Sequence, residues 1–135
     1  MSGNAITDVP GISVGHYTDL LRPSPGFKRE DQSRAQNTTI GVVATNARLG
    51  KEQANKLASM AQDGVALSVR PAHMMGDGDT MFAVATGHLD GETGIDRLCA
   101  ATVVATSQAI VSGVRSAAGL GGIPGVTELT EDGGD

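Results

Sequence analysis

The stretch "TTIGVVATNARLGKEQANKLASMAQDGVALSV", residues 38–69, carries two different periodicities back to back. Ile40-Gly41-Val42-Val43-Ala44 is a β-branched apolar run that reads as a strand running into a core, within 38–46. In 51–69, Ala54, Leu57, Ala58, Ala61 and Val65 recur at i, i+3, i+4, i+7 and i+11, the spacing of one helix face. The helix is expected to start between Asn46 and Gly50 and to end near Asp63-Gly64, a dipeptide common past helix ends. A strand feeding a helix is one half of an α/β unit.

The second half follows directly. "RPAHMMGDGD" (70–79) is rich in turn formers, and "TMFAVATG" (80–87) reads as a second buried strand. Beyond a polar bridge at 88–94, residues 95–118 have helix composition, with Ile95, Leu98, Thr102, Ala105 and Ala109 on one face. Val103, Val104, Val111 and Val114 fall on other faces, which points to cover on more than one side, from the domain or from another subunit. The alternation predicts an α/β (α+β) fold with a small sheet packed by helices. A two-strand sheet is thin, and oligomerisation is one source of further strands.

Outside this core the chain is read as one domain over 1–135. "AITDVPGISVGHYTD" suggests an extended N-terminal strand region within 1–20. Residues 21–36, with Pro23, Pro25 and a cluster of charge, read as a linker, and 37–135 as the core with an acidic, glycine-rich tail that frays.

Composition narrows the function. A net charge of −5 without a Lys/Arg block, and aromatics at 2%, give little material for phosphate tracking or base stacking, so no nucleic acid partner is expected. The single cysteine, Cys99, sits in an apolar run and reads as a buried small hydrophobe suited to a reducing compartment. No leader or membrane-length apolar run is apparent, so a cytoplasmic location without a membrane partner is expected.

Two stretches carry candidate chemistry. A threonine at the mouth of a buried strand becomes an amide-cleaving nucleophile if the peptide bond before it is cut. The freed α-amine, with an ordinary pKa of about 7.7–8.0, then serves as base for its own hydroxyl. Asn37–Thr38 places such a bond at the start of the first strand; the plainer reading of Asn37-Thr38-Thr39 is a turn followed by strand-forming residues. In "GDGDT" (76–80), Asp77 and Asp79 flank a glycine at the start of the second strand. They can orient a hydroxyl or an ammonium, or form a solvated turn; the stretch offers too few oxygens at regular spacing for a calcium loop, so neither metal nor cofactor is expected. His73 in the same loop is a candidate for proton transfer or an ordinary surface residue. His16 and His88 lack companions at metal-ligand spacing.

Taken together, Asn-Thr-Thr-Ile before a Val-rich strand, an alanine-rich helix with Asp-Gly, then Pro-x-His and Asp-Gly-Asp-Thr before Phe-Ala-Val resemble the DmpA-type L-aminopeptidase/D-esterase family, which includes nylon-oligomer hydrolases. The resemblance covers residues 37–87, with the opening "ITDVPGISVGHYTD" similar to the family's first strand. It implies a self-processing N-terminal-nucleophile hydrolase with α-β-β-α layers, acting on small peptides, amides or oligoamides. It implies cleavage at Asn37/Thr38, Thr38 as nucleophile and base, and Asp77 and Asp79 as groups that orient it. In that family a long segment lies between the opening strand and the processed threonine and supplies further strands and the lysine, tyrosine and asparagine groups of the site. Here residues 21–36 stand in its place. A chain that keeps only the core as a non-catalytic scaffold or oligomeric binding module is the alternative.

Overall fold

The computed structural model describes residues 6–13 and 38–131. Its core is a β-α-β unit: β1 (Ile40–Thr45), α1 (Lys51–Ser68) and β2 (Thr80–Ala85), followed by α2 (Ile95–Ser116) and a short α3 (Val126–Glu131). The strands pair in parallel, with Ile40 opposite Thr80 and Thr45 opposite Ala85. A parallel pair cannot be closed by a tight hairpin, so α1 makes the crossover. The expected α/β arrangement of a small sheet packed by helices is what forms.

Period-two alternation divides the sheet into two faces. Gly41, Val43 and Thr45 of β1 and Met81, Ala83 and Ala85 of β2 are the more buried set, turned towards the helices. Met81 lies across Gly41, where a Cβ would meet its Cε at 2.6 Å. The opposite face is apolar yet open: Ile40 is 73% exposed and Phe82 56%, with Val42 and Val84 beside them. Between β1 and α2 runs an apolar groove of about 470 Å³, lined by Ile6, Val9, Leu57, Leu98, Ala105 and Ile110 among others.

Helix α1 begins where Gln53 Oε1 accepts from the Gly50 N–H at 3.0 Å, meeting one of the backbone donors that a helix start leaves over. It does not end at Asp63-Gly64. The helix runs on to Ser68, and Gly64 is buried inside it. A Cβ on Gly64 would meet Thr106 Cβ at 2.6 Å and the Val103 carbonyl at 2.7 Å on α2. The glycine therefore marks a helix crossing, where the missing side chain lets α1 and α2 approach. Around it, Leu57, Ala61 and Val65 of α1 and Cys99 of α2 are buried, and the Ser68 hydroxyl donates to Ser107 Oγ at 2.8 Å.

The buried side chains of α2 are Cys99, Thr102 and Thr106. The face expected from spacing is therefore turned by about one residue, with Ala109 exposed, because Gly64 docks against Val103 and Thr106. By length and composition alone, α2 is the one helix among the described residues able to cross a membrane.

The N-terminal end differs from expectation. Ile6–Asp8 forms a 3₁₀ turn rather than a strand, with Val9 N–H donating to the Ile6 carbonyl and Ile12 N–H to that of Val9; residues 14–20 and the linker 21–36 lie outside the described residues. Pro10-Gly11 closes these pieces into turns, with Gly11 at φ +89°. The tail is built as far as Glu131, and the last residues of its acidic, glycine-rich end, 132–135, lie outside the described residues. Leu120 and Ile123 exchange backbone hydrogen bonds around Gly121 and Gly122, at φ +64° and +82°, a conformation glycine adopts without steric cost. Glu128 then accepts from Gly119 N–H at 2.8 Å and Gly125 N–H at 3.1 Å, tying α3 to that turn.

Gly64→Ala is expected to force the two helices apart and destabilise the chain by about 1–3 kcal/mol, the usual cost of overpacking. Urea denaturation would measure it, with Gly113→Ala on the open surface of α2 as the control.

Candidate functional site

The site lies at the mouth of the parallel pair, where β1 and β2 both begin. Thr80 N–H donates to the Thr39 carbonyl at 2.8 Å. In a regular parallel ladder the Thr39 N–H would then donate to the carbonyl of residue 78. It donates instead to Asp79 Oδ1, at 2.8 Å, so a side-chain carboxylate replaces a main-chain rung. The Gly78 carbonyl accepts from the Thr80 hydroxyl at 3.2 Å.

Continuing the register by two residues brings Thr38 beside Gly78. The contact is close: a Cβ on Gly78 would lie 2.8 Å from Thr38 Oγ1. The threonine hydroxyl therefore rests on a position without a side chain, between the two aspartates in sequence, and Thr38 itself is exposed. Asn37 lies outside the described residues.

The aspartates have different tasks. Asp77 Oδ2 accepts from Met74 N–H at 2.7 Å while Asp77 N–H donates to the Met74 carbonyl at 2.9 Å, closing residues 74–77 into a tight turn. Asp79 reaches across strands. Its Oδ1 takes Thr39 N–H and its Oδ2 lies 2.8 Å from His73 Nδ1, with only 8% of its side chain exposed. Thr39 N–H, donated to the carboxylate, holds the Asp79 carboxyl below the usual carboxylate range; burial opposes this and the His73 contact reinforces it.

Helix α1 anchors the loop through Gln62. Its Nε2 donates to the Asp79 carbonyl at 3.3 Å, and its own carbonyl lies 3.2 Å from His73 Nε2. The sequence reading names Thr38, Asp77, Asp79 and His73 but misses Gln62 and the Thr39 amide. A polar Gln62 directly after the buried Ala61 was the available signal. Among the described residues no three His, Cys, Asp or Glu side chains gather as metal ligands.

This geometry presents a hydroxyl at a strand mouth, with one carboxylate clamped to the adjacent amide and another shaping the facing loop. A hydroxyl in such a place can take part in acyl transfer only where a base stands near it. The profile described as Peptidase family S58 matches residues 20–128, and the chain belongs to that family. An uncharacterized aminopeptidase of Mycobacterium leprae is 37% identical over 147 residues, covering 90% of this chain and 41% of that protein. One from Mycobacterium bovis is 39% identical over 133 residues, covering 89% of this chain and 37% of its own length. A 6-aminohexanoate-oligomer endohydrolase of Kocuria sp. is 36% identical over 90 residues, covering 59% of this chain and 25% of that enzyme. The chain thus spans about two fifths of the length of the mycobacterial relatives.

The lowered Asp79 pKa fixes the sign of an acid effect. Its stabilising contribution is complete above the unfolded value, near 3.8, and is lost as pH falls through the lower folded value. Asp79→Asn should therefore melt at a lower temperature than wild type at neutral pH, and the gap should narrow as pH falls below 4. Thermal melts followed by circular dichroism from pH 7 downwards would measure this.

Proposed function

We propose that this chain is the nucleophile-bearing part of a self-processing amidohydrolase that cleaves aminoacyl peptides, amides or short oligoamides. The observation that carries the reading is the placement of Thr38 Oγ1, at the mouth of β1, against Gly78, the residue that separates Asp77 and Asp79 in the facing loop. Membership of a peptidase family, and relatives named as aminopeptidases and a 6-aminohexanoate-oligomer endohydrolase, support it. The unpaired, buried Cys99 suits a reducing, cytoplasmic setting.

In processing, Thr38 Oγ attacks the Asn37 carbonyl carbon, and collapse of the tetrahedral adduct breaks the Asn37–Thr38 C–N bond and leaves an ester on Thr38. Water hydrolyses that ester, giving a carboxylate on Asn37 and a free amine on Thr38. In turnover the amine takes the Thr38 hydroxyl proton as the oxygen attacks a substrate carbonyl, then protonates the departing amine. Water resolves the acyl-enzyme by the same route.

Intact mass of the purified protein tests the first step. Wild type is expected to yield fragments ending at Asn37 and beginning at Thr38, and Thr38→Ala a single uncut chain. Gly78→Ala, which pushes a methyl into the Thr38 hydroxyl, is expected to slow cutting by up to about 100-fold, the order of effect of a 1 Å misplacement.

The apolar outer face of the sheet favours a second reading, a non-catalytic module that assembles through Ile40, Val42, Phe82 and Val84. On that reading light scattering finds an oligomer, and Phe82→Ser weakens it by about 10–150-fold, matching about 1.5–3 kcal/mol for one buried aromatic. An uncut wild-type chain that oligomerises in this way would favour the module over the hydrolase.

A further inference from the structure

The ring of His73 stands between two acceptors. Nδ1 lies 2.8 Å from Asp79 Oδ2 and Nε2 lies 3.2 Å from the main-chain carbonyl of Gln62. Neither an ionised carboxylate nor a carbonyl can donate, so each contact needs an N–H on the ring. The imidazolium satisfies both, and a neutral ring that keeps the Asp79 contact carries its proton on Nδ1. The backbone at His73 is left-handed, φ +58°, which turns residue 73 back to face both α1 and the start of β2. A sequence of contacts therefore runs from the Gln62 carbonyl through the His73 ring and the Asp79 carboxylate to the Thr39 N–H, one residue from Thr38.

We propose that His73 is a positioning residue for Thr38: by holding Asp79 Oδ2 it keeps Oδ1 on the Thr39 N–H, and so fixes where the Thr38 hydroxyl and the peptide bond before it lie. The proposal rests on Thr38 being the nucleophile. His73 acts only through Asp79 and touches no reacting atom. Without the ring, Asp79 is free to turn about its side-chain torsions, and the Thr39 amide loses its fixed acceptor. An angular freedom at residue 39 becomes a displacement at the oxygen of residue 38, where a misplacement of about 1 Å costs up to about 100-fold in rate.

Two substitutions separate this from a general structural role. His73→Gly removes the ring and accepts the left-handed backbone without strain. His73→Asn also tolerates that backbone and carries an N–H₂ one bond beyond Cγ, where Nδ1 stands, but nothing that reaches the Gln62 carbonyl. In the full chain, the Thr39 amide is followed by ¹⁵N–¹H NMR, processing by intact mass, and hydrolysis of an aminoacyl p-nitroanilide by steady-state kinetics. Processing is compared on chains bearing an N-terminal tag and sampled during expression.

The expected result is a shifted Thr39 amide in His73→Gly and processing slowed by at least tenfold. Any hydrolysis would fall in kcat with KM little changed, and His73→Asn would restore amide position and rate together. A Thr39 amide unmoved by His73→Gly overturns the proposal, as does a moved amide with processing and kcat unchanged. A drop that Asn does not restore also overturns it, because the Asp79 contact is then not the operative one. Should wild type neither process nor hydrolyse, both the hydrolase reading and the positioning role fail. Activity in wild type and His73→Gly alike sinks the positioning role alone.

Discussion

The carboxylate of Asp79 takes a place in the parallel ladder that belongs to a backbone carbonyl. By accepting the Thr39 N–H at 2.8 Å it carries the pairing of β1 and β2 one step past the last regular rung, into the region where the chain would otherwise open. Its second oxygen ties the same point to the 70–79 loop, and its carbonyl ties it to α1 through Gln62. Two strands, a helix and a loop thus converge on one residue. A main-chain carbonyl offers one oxygen; the carboxylate offers two, one on the Thr39 amide and the other on His73.

Helix α1 makes that convergence rigid. Leu57, Ala61 and Val65 seat its inner face, and Gly64 lets α2 close over it within backbone contact distance. Gln62 projects from the same turn as these packing residues, so the loop is referenced to the best-buried part of the molecule. Packing and site geometry are coupled through two consecutive turns of one helix. The open apolar face of the sheet lies on the side the helices leave bare, while the groove runs between β1 and α2.

Much of this was legible because it is local. The β-branched run at 40–45, the helical spacing of Leu57, Ala61 and Val65, and the apolar length of 95–116 each announce an element without tertiary information. The errors came where one residue type has two uses. Gly64 looked like a helix end but serves a helix crossing, and Ile6, Val9 and Ile12 around Pro10 looked extended but coil into short turns. Gly121-Gly122 and Glu128 build the first part of the tail through contacts that composition does not announce. Around the strand mouths, Thr38, Asp77 and Asp79 stood out as a hydroxyl and two carboxylates, and it was the family resemblance that gave them expected roles. Gln62 and the Thr39 amide did not stand out, since their partners lie far away in sequence and meet only through the parallel register.

Gly64 and Gly78 are closed to mutational drift in a way Gly113 is not. Every other amino acid brings a Cβ, which at 64 meets the backbone and side chains of α2, and at 78 meets the Thr38 hydroxyl, while at 113 it meets nothing within 4 Å. A coding change at the first two positions is judged immediately, one by the fold and the other by the strand mouth. The same change at 113 is steered only by helix propensity, which favours losing the glycine. Random substitution libraries of this chain should therefore retain glycine at 64 and 78, two places that contribute no side chain at all, far more strictly than at 113.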